Sequence, residues 1–172
     1  MNLRIFKFIY NEVGERKMIR LYVPQYEDLW FRQMFMMDDE TMSYNHKWGG
    51  TIPFPEEEWK EWYHHWIVNP AGKRFYRYLV DDTNNAFIGE VAYHYDEARD
   101  VTIADIIIYA KYRSKGFGKI GLQLLCEAAK KNGVQVLCDD IAIDNSAIGL
   151  FINNGFVEDY RTEEYIMLEK IL

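Results

Sequence analysis

Between Ile106 and Lys119 the chain reads IIIYAKYRSKGFGK. An apolar, β-branched run of strand length leads into a polar loop that contains two glycines. The loop opens the clearest helical pattern of the sequence, in which apolar residues recur on one face. Two lysines close that pattern and Gly133 follows it, as is common at the end of a helix. We therefore predict a strand, a glycine loop and a helix over Gly118–Lys131, in that order.

The glycine loop has the composition of a phosphate-binding site. Glycines let backbone N–H groups approach a ligand without an intervening side chain. The unpaired N–H groups and the dipole of the helix that follows favour a bound anion. Four cationic residues crowd into this short stretch of an acidic protein: Lys111, Arg113, Lys115 and Lys119. The loop is therefore predicted to hold a ligand with several phosphates.

The rest of the chain carries β-rich runs and shorter helical patterns, and no repeat or linker divides it. Strands are predicted at Leu3–Tyr10, Lys17–Val23, Lys73–Asp81, Ala86–Asp96, Val101–Tyr109, Val134–Ile143, Gly155–Asp159 and Glu164–Leu168. Further helices are predicted from Pro24 to Met37, from Pro55 onward and over Ser146–Asn153, with an irregular stretch over Asp38–Pro55.

This order favours one α/β domain over residues 1–172. We expect a mostly antiparallel, twisted central sheet with flanking helices and one β-α-β crossover near residue 116. Residues 1–17 are expected to form an N-terminal strand or hairpin extension, which turns at Asn11–Gly14.

Composition limits the classes of protein and partner. Of the 172 residues, 49% are apolar and 27% charged, which is typical of a globular protein. The net charge of −7 argues against a nucleic-acid partner, which needs a basic face. No apolar run approaches the roughly 18 residues that span a bilayer, and no signal-peptide pattern is present, so we expect a cytoplasmic protein without a membrane partner. The cysteines and histidines show no ligand spacing, so no metal site is expected, and Cys126 is predicted to be buried.

Two motifs lie within this pattern. Arg113, Gly116 and Gly118 fill a signature of Arg or Gln, two residues, Gly, one residue, and Gly or Ala. After a further helix and strand, Asp144–Ile148 and Phe151–Phe156 look like a second motif, a short helix that ends in an aromatic residue and is followed by Gly-Phe. On these residues the chain resembles the GCN5-related N-acetyltransferase superfamily over most of its length.

The resemblance implies a sheet that splays to admit acetyl-coenzyme A (acetyl-CoA), the cosubstrate of an N-acetyltransferase. Backbone N–H groups of the loop would hold the pyrophosphate: Arg113, Ser114, Lys115, Gly116, Phe117, Gly118 and Lys119. The backbone of Ile106 and Ile108 would pair with the pantetheine arm like an added strand, and Asn145 would hydrogen-bond along it. The Ile108 N–H would also stabilise the developing oxyanion. Phe151, beside the cosubstrate, stands where many relatives carry a tyrosine that protonates the leaving thiolate.

The acceptor amine must lose a proton before it attacks, since an alkyl ammonium has a pKa near ~10. Glu90 and Asp140 are the predicted general bases, with Asp105 and Asp139 as further candidates. Glu90 shares a strand face with His94 by two-residue periodicity. Burial would raise the pKa of such an acid toward neutrality, which suits a base.

The acceptor site is predicted around the first two helices, because relatives cover their acceptor there. An aromatic stripe recurs at helical spacing and is expected to pack on the core and line this site: Trp59, Trp62, Tyr63 and Trp66. The same region holds Trp48, Asp38, Asp39 and Glu40. Aromatic faces with carboxylates suit a cation, so a cationic small-molecule amine is the expected acceptor, with a protein N-terminus or lysine as the alternative. Relatives often form dimers, so a homodimer is also expected.

Two other functions fit parts of the sequence. Gly116–Gly121 also matches the G-x-G-x-x-G dinucleotide fingerprint, and Asp139 and Asp140 follow where a ribose-binding acid belongs. Five residues separate the apolar strand from Gly116, however, and too little chain follows for the repeated units of a dinucleotide domain. A non-catalytic module that binds acyl-CoA is the second alternative, because Phe151 replaces the expected acid.

Overall fold

The computed structural model describes residues 6–10, 14 and 16–172. Within them, eight strands form one sheet in the order β1-β2-β3-β4-β5-β6-β8-β7. The strands are β1 (Phe6–Tyr10), β2 (Arg16–Tyr22), β3 (Arg74–Asp81), β4 (Ala86–Asp96), β5 (Val101–Ile108), β6 (Val136–Ala142), β7 (Val157–Arg161) and β8 (Tyr165–Ile171). The turn predicted at Asn11–Gly14 lies, except for Gly14, outside the described residues.

In the described part of the chain, four α-helices flank the sheet: α1 (Leu29–Met36), α2 (Glu56–Tyr63), α3 (Phe117–Lys131) and α4 (Ile148–Ile152). A π-helix, His64–Val68, continues α2. The stretch predicted as irregular contains a 3₁₀ helix, Thr41–Trp48, which we call the cover segment. The predicted α/β class with a mostly antiparallel sheet is confirmed. No helix in the described part of the chain is long and apolar enough to cross a membrane.

The crossover predicted near residue 116 joins β5 to β6 through α3, and these two strands pair in parallel. Their ladder has one residue pair, Ile103 with Cys138, whereas β5 pairs with β4 along its whole length. Beyond Ile103, therefore, β5 and β6 separate toward their carboxyl ends. This split lies directly before the glycine loop.

Helix α3 packs on one face of the sheet because its apolar stripe matches the inward side chains of the central strands. Leu122, Leu125 and Ala129 are fully buried there, and Cys126 is buried as predicted. A Cβ on Gly121 would lie 2.6 Å from Leu79 Cδ1. The glycine thus lets the helix approach the sheet closely at the level of the split.

The opposite face is covered by α1, the cover segment and the end of α2. Phe31, Phe35 and Met42 pack there against Tyr76 and Tyr78 of β3. Of the predicted aromatic stripe, Trp59 joins a small separate cluster near α1. Trp66 lies against the main cluster of this face, and Trp62 packs against both clusters. The two layers meet the split sheet from opposite sides and leave a cleft between them.

Candidate active site

A cleft of about 1200 Å³ opens where β5 and β6 separate. One wall is formed by the glycine loop and the start of α3, and another by the facing edges of the two strands. The cover segment and the aromatic residues of α2 and its π-helix form the third wall. The chain thus brings together three regions that are far apart in sequence.

The glycine loop reaches the cleft in a conformation that its residues permit. Gly116 caps α3 with a φ of 82° and Ser114 has a φ of 60°, both in the left-handed region. Such a bend aims the unpaired N–H groups of the first helical turn at the space in front of the helix. Ser114, Gly116, Gly118 and Lys119 all line the cleft. The arrangement fits a bound phosphate group.

Of the four cationic residues predicted to bind phosphate, three contact other groups of the protein. The Arg113 guanidinium donates to three backbone carbonyls, those of Ile108 (3.2 Å), Glu40 (2.9 Å) and Thr41. Lys111 lies over the rings of Tyr109 and Tyr112, and Lys115 donates to the Lys111 carbonyl at 2.9 Å. Lys119 lines the cleft and has no ion pair in the described part of the chain. Lys119 is therefore the cation best placed to face a phosphate.

The open edge of β5 offers backbone groups to the cleft. The Tyr109 N–H donates to the Ile88 carbonyl of β4. Since backbone groups alternate along a strand, those of Ile106 and Ile108 point the other way, toward β6. The single β5–β6 residue pair leaves this stretch of edge without a strand partner. An extended ligand could therefore pair there, as predicted for the pantetheine arm.

The second motif shapes the far wall. The Asn145 side-chain oxygen accepts a hydrogen bond from the Ala147 N–H at 2.9 Å, which holds the turn between β6 and α4. Phe151 is 1% exposed and packs edge-to-face on Phe156 at 5.0 Å. Phe117 is also buried, in the core beneath α3, so only its backbone remains for a ligand. Asn145 and Phe151 line the cleft, whereas Lys115 and Phe117 do not.

The sequence model of a known family, described as an acetyltransferase (GNAT) domain, matches residues 16–157. The chain belongs to the GNAT acetyltransferase family. It is therefore an acetyltransferase, as predicted, and acetyl-CoA is the cosubstrate of this family. No curated protein sequence matches the chain.

Solved structures share the GNAT fold at low identity. The GNAT domain of S. lividans PAT is 14% identical, with 97% of each chain covered and a TM-score of 0.75. Spermidine N-acetyltransferase from Vibrio cholerae, in complex with CoA and spermine, is 20% identical over 89% of this chain and 95% of that one, with a TM-score of 0.70. Ribosomal-protein-alanine N-acetyltransferase from Brucella melitensis is 21% identical over 88% and 99%, with a TM-score of 0.69. At these identities the likeness shows the fold alone.

The dinucleotide-binding alternative is wrong, because the GNAT sheet lacks the architecture of that fold. A doubly wound domain is built from parallel strands, whereas the described sheet has one parallel pair. A 3₁₀ turn, Ala110–Tyr112, also separates β5 from Gly116, so the tight strand-to-helix turn of the fingerprint is missing.

Glu90, a predicted base, lines the cleft and has close partners on two elements. Arg32 of α1 donates to both carboxylate oxygens at 2.5 Å, and the Tyr76 hydroxyl donates to one of them. Glu90 is 3% exposed, so this charge is held inside the protein. Burial, followed by the Glu90 charge, raises the pKa of Tyr76 well above its usual value, which keeps the phenol protonated.

The other predicted acids are Asp105 of β5 and Asp139 and Asp140 of β6. Asp140 forms an ion pair with Arg99, in which the carboxylate oxygen lies 2.5 Å from a guanidinium nitrogen. Asp139 has no cationic partner among the described residues, and the Asp140 backbone N–H is the neighbouring group that favours its charged form. Burial, and then the charges of Asp105 and Asp140, raise the pKa of Asp139 well above its usual value. All three aspartates line the cleft. Their roles in proton transfer stay predictions.

The sequence analysis assigned no role to three residues that line the cleft. Arg32 was not predicted because its partner Glu90 lies on a distant strand, and no local pattern connects them. Tyr44 lies in a stretch predicted as irregular, and burial together with the charges of Glu90 and Asp105 raises its pKa. His94 was placed on the face of Glu90, but its pairing with Asp105 of β5 depends on strand register.

Proposed function

We propose that this GNAT enzyme acetylates a primary amine of a small cationic molecule. The observation that carries the proposal is Asp139, a half-buried carboxyl group without a cationic partner among the described residues. Its pKa is raised by burial and by two neighbouring carboxylates, so negative charge is poorly compensated there. A cationic acceptor in the cleft would supply the missing positive charge.

The aromatic wall of the cleft supports the same acceptor class. Trp48, Trp62 and Trp66 line it, and Trp48 is 52% exposed. One guanidinium already uses this wall, since the Arg32 Cζ lies 4.9 Å from the Trp62 ring centroid. Indole faces attract cations, most strongly where water is excluded. An ammonium group could bind between these rings and the carboxylates of β6.

The cosubstrate is proposed to bind as the resemblance implies. The backbone N–H groups of Arg113–Lys119 would hold the pyrophosphate, with Lys119 adding a positive charge. The β5 edge at Ile106 and Ile108 would orient the pantetheine arm, and the Asn145 side-chain amide, whose N–H₂ has no partner among the described residues, would donate along it. Phe151 would exclude water from the inner end of the cleft. These residues bind and orient, while the thioester itself supplies the activated acetyl group.

Acetyl transfer from the thioester does not require a general acid to protonate the departing sulfur. The Ile108 N–H would stabilise charge on the carbonyl oxygen during attack. Phe151 carries no proton to give, so sulfur would leave without an acid at this position. A thiol pKa near ~8.5, by analogy with cysteine, makes a thiolate a tolerable leaving group. Proton removal from the ammonium is then the step for which the protein must provide a group.

A thiol-release assay with a panel of amines tests the acceptor. We expect turnover with a polyamine such as spermidine or with an aminoglycoside, and a KM that rises with salt as charges are screened. A neutral primary amine of similar size serves as the matched control and should react at least ten times more slowly. Preference for a peptide bearing an N-terminal alanine would overturn the proposed acceptor, as would absence of turnover with every cationic amine of the panel.

A further inference from the structure

The two predicted bases are poorly placed to accept a proton from an amine. Both oxygens of Glu90 accept hydrogen bonds from Arg32, and one also accepts from Tyr76. Asp140 is paired with Arg99 at 2.5 Å. The carboxylate oxygens that an amine proton would have to reach are therefore already occupied by guanidinium and phenol donors.

His94, unlike these acids, has a nitrogen in the cleft that is free to accept a proton. It lines the cleft from β4, with its ring edge against Trp66 at a centroid distance of 6.2 Å. Its Nδ1 is buried and lies 3.6 Å from an Asp105 carboxylate oxygen. The other ring nitrogen, Nε2, has no hydrogen-bond partner among the described residues, and 37% of the side chain is exposed. One nitrogen therefore faces a carboxylate, and the other is available.

We propose that His94 is the catalytic residue that accepts the proton of the acceptor amine, and that Asp105 is its positioning residue. The inference rests on the proposed function, because it needs an ammonium acceptor in the aromatic half of the cleft. A carboxylate beside Nδ1 holds the proton on that nitrogen and leaves Nε2 as the acceptor. The same carboxylate then stabilises the imidazolium that forms.

The charges that face His94 come from three strands. Asp105 of β5 raises the pKa of the imidazole, Asp96 of β4 raises it further, and Arg74 of β3 opposes them. Partial burial also opposes the increase, but the net direction is upward from the usual value. A pKa moved up from about 6.5 brings this base closer to the pH at which an enzyme works.

The proposed step balances. The ammonium gives one proton to His94 Nε2, and the neutral amine forms the C–N bond as the C–S bond breaks. The electron pair of the C–S bond leaves with sulfur, which takes up the second amine proton. His94 returns the first proton to solvent. The net products are the amide, the thiol and one proton.

The dependence of kcat/KM on pH tests His94. In the wild type we expect kcat/KM to rise up to the pKa of His94 and then to level, because the base removes a proton from the ammonium form. His94→Gln should lower kcat/KM about 10²–10⁴-fold near neutral pH. Its profile should keep rising toward the amine pKa near ~10, because only free amine then reacts. In Asp105→Asn the pH at which kcat/KM levels should be lower, because Asp105 no longer raises the pKa of His94.

Two controls separate this role from others. His64→Gln changes an exposed histidine outside the cleft and should leave the profile as in the wild type. Imidazole NMR titration of the enzyme without substrates, assigned by the spectrum of His94→Gln, should give a pKa above 6.5 that falls in Asp105→Asn. A wild-type profile in His94→Gln, or a His94 pKa that does not respond to Asp105→Asn, would overturn the inference.

The experiments distinguish an error in the proposed acceptor from an error in the role of His94. If peptide amines are the only acceptors, the cationic small molecule is wrong, and the same profiles measured with the peptide still decide the role of His94. If Glu90→Gln abolishes the levelling while His94→Gln retains it, Glu90 is the base and the inference fails.

Discussion

At the scale of single residues, Asp139 is the least favourably placed charge of the cleft. Its folded-state pKa is raised by burial and by nearby carboxylates, so the folded state holds this proton to higher pH than the unfolded chain does. Below the usual Asp pKa of about 3.9 both states are protonated. As pH rises above that value, the unfolded state ionises first and the free energy of unfolding decreases.

We therefore predict that Asp139→Asn stabilises the protein at neutral pH. The gain in melting temperature should grow from pH 4 to pH 8 and vanish below the usual Asp pKa, because asparagine does not ionise. Thermal unfolding across this range measures it, with Asp159→Asn as a control on the exposed edge strand β7. A gain that is constant with pH would show that ionisation of Asp139 is not its cause.

Glu90, unlike Asp139, is a buried acid with a cationic partner, Arg32, at hydrogen-bonding distance. Removing one member of a buried pair leaves the other charge uncompensated, at a cost of about 3–5 kcal/mol. Glu90→Gln should lower the free energy of unfolding by about that amount, as read from denaturant titration. Glu97→Gln breaks an exposed pair with Lys73 and should change stability little. Equal stability of the two variants would mean that Arg32 finds another partner.

At the scale of elements, the cover segment is attached to the glycine loop. The Thr41 hydroxyl accepts from the Ala110 N–H at 2.9 Å and donates to Asp38, while Arg113 donates to the Glu40 and Thr41 carbonyls. The far end of the segment is held by an exposed pair, Lys47 with Asp144 at 3.3 Å. Hydrogen bonds from a charged donor outweigh such a surface pair.

We predict that Arg113→Lys loosens the cover segment although it keeps the charge, because an ammonium cannot reach three carbonyls at once. Hydrogen exchange of the Thr41–Trp48 amides should accelerate about ten-fold or more, and the KM for the acceptor should rise. Lys47→Ala is the comparison, with little change in exchange expected. Faster exchange in Lys47→Ala than in Arg113→Lys would refute this assignment of the anchor.

The N-terminus of α3 depends on a left-handed residue. A side chain at Gly116 would strain a φ of 82° by about 1–2 kcal/mol, and relief of that strain would turn the loop N–H groups away from the cleft. Gly133 is a matched control at the other end of the helix, with a φ of 88° and open space around it. Both alanine variants should lose stability, and Gly116→Ala must in addition shift the Ile9 side chain, whose Cδ1 would lie 2.6 Å from the new Cβ. Only Gly116→Ala should bind acetyl-CoA more weakly in calorimetry. Equal affinities would exclude the loop as the phosphate site.

At the scale of the whole molecule, the sheet is joined across its centre by one β5–β6 residue pair. A ligand that fills the gap between these two strands should therefore stabilise the whole sheet. At one hundred times its dissociation constant, a ligand adds about 2.7 kcal/mol, which is a rise of roughly 5–11 °C for a chain of this size. Acetyl-CoA should give this shift, and NAD should not. A shift with NAD alone would contradict the loop assignment. Homodimer formation and a cytoplasmic location stay predictions.

The sequence by itself determined the strand, glycine loop and helix around Gly116, the crossover and the acetyltransferase family. These features depend on spacing within short segments, where glycine, apolar periodicity and helix ends act locally. Tertiary structure decided how the charges pair. The Arg113 guanidinium supports the cover segment, Glu90 pairs with Arg32 of α1, and His94 faces Asp105 across β4 and β5. Such pairs join residues that only the sheet register and helix packing bring together, so no local pattern could have predicted them.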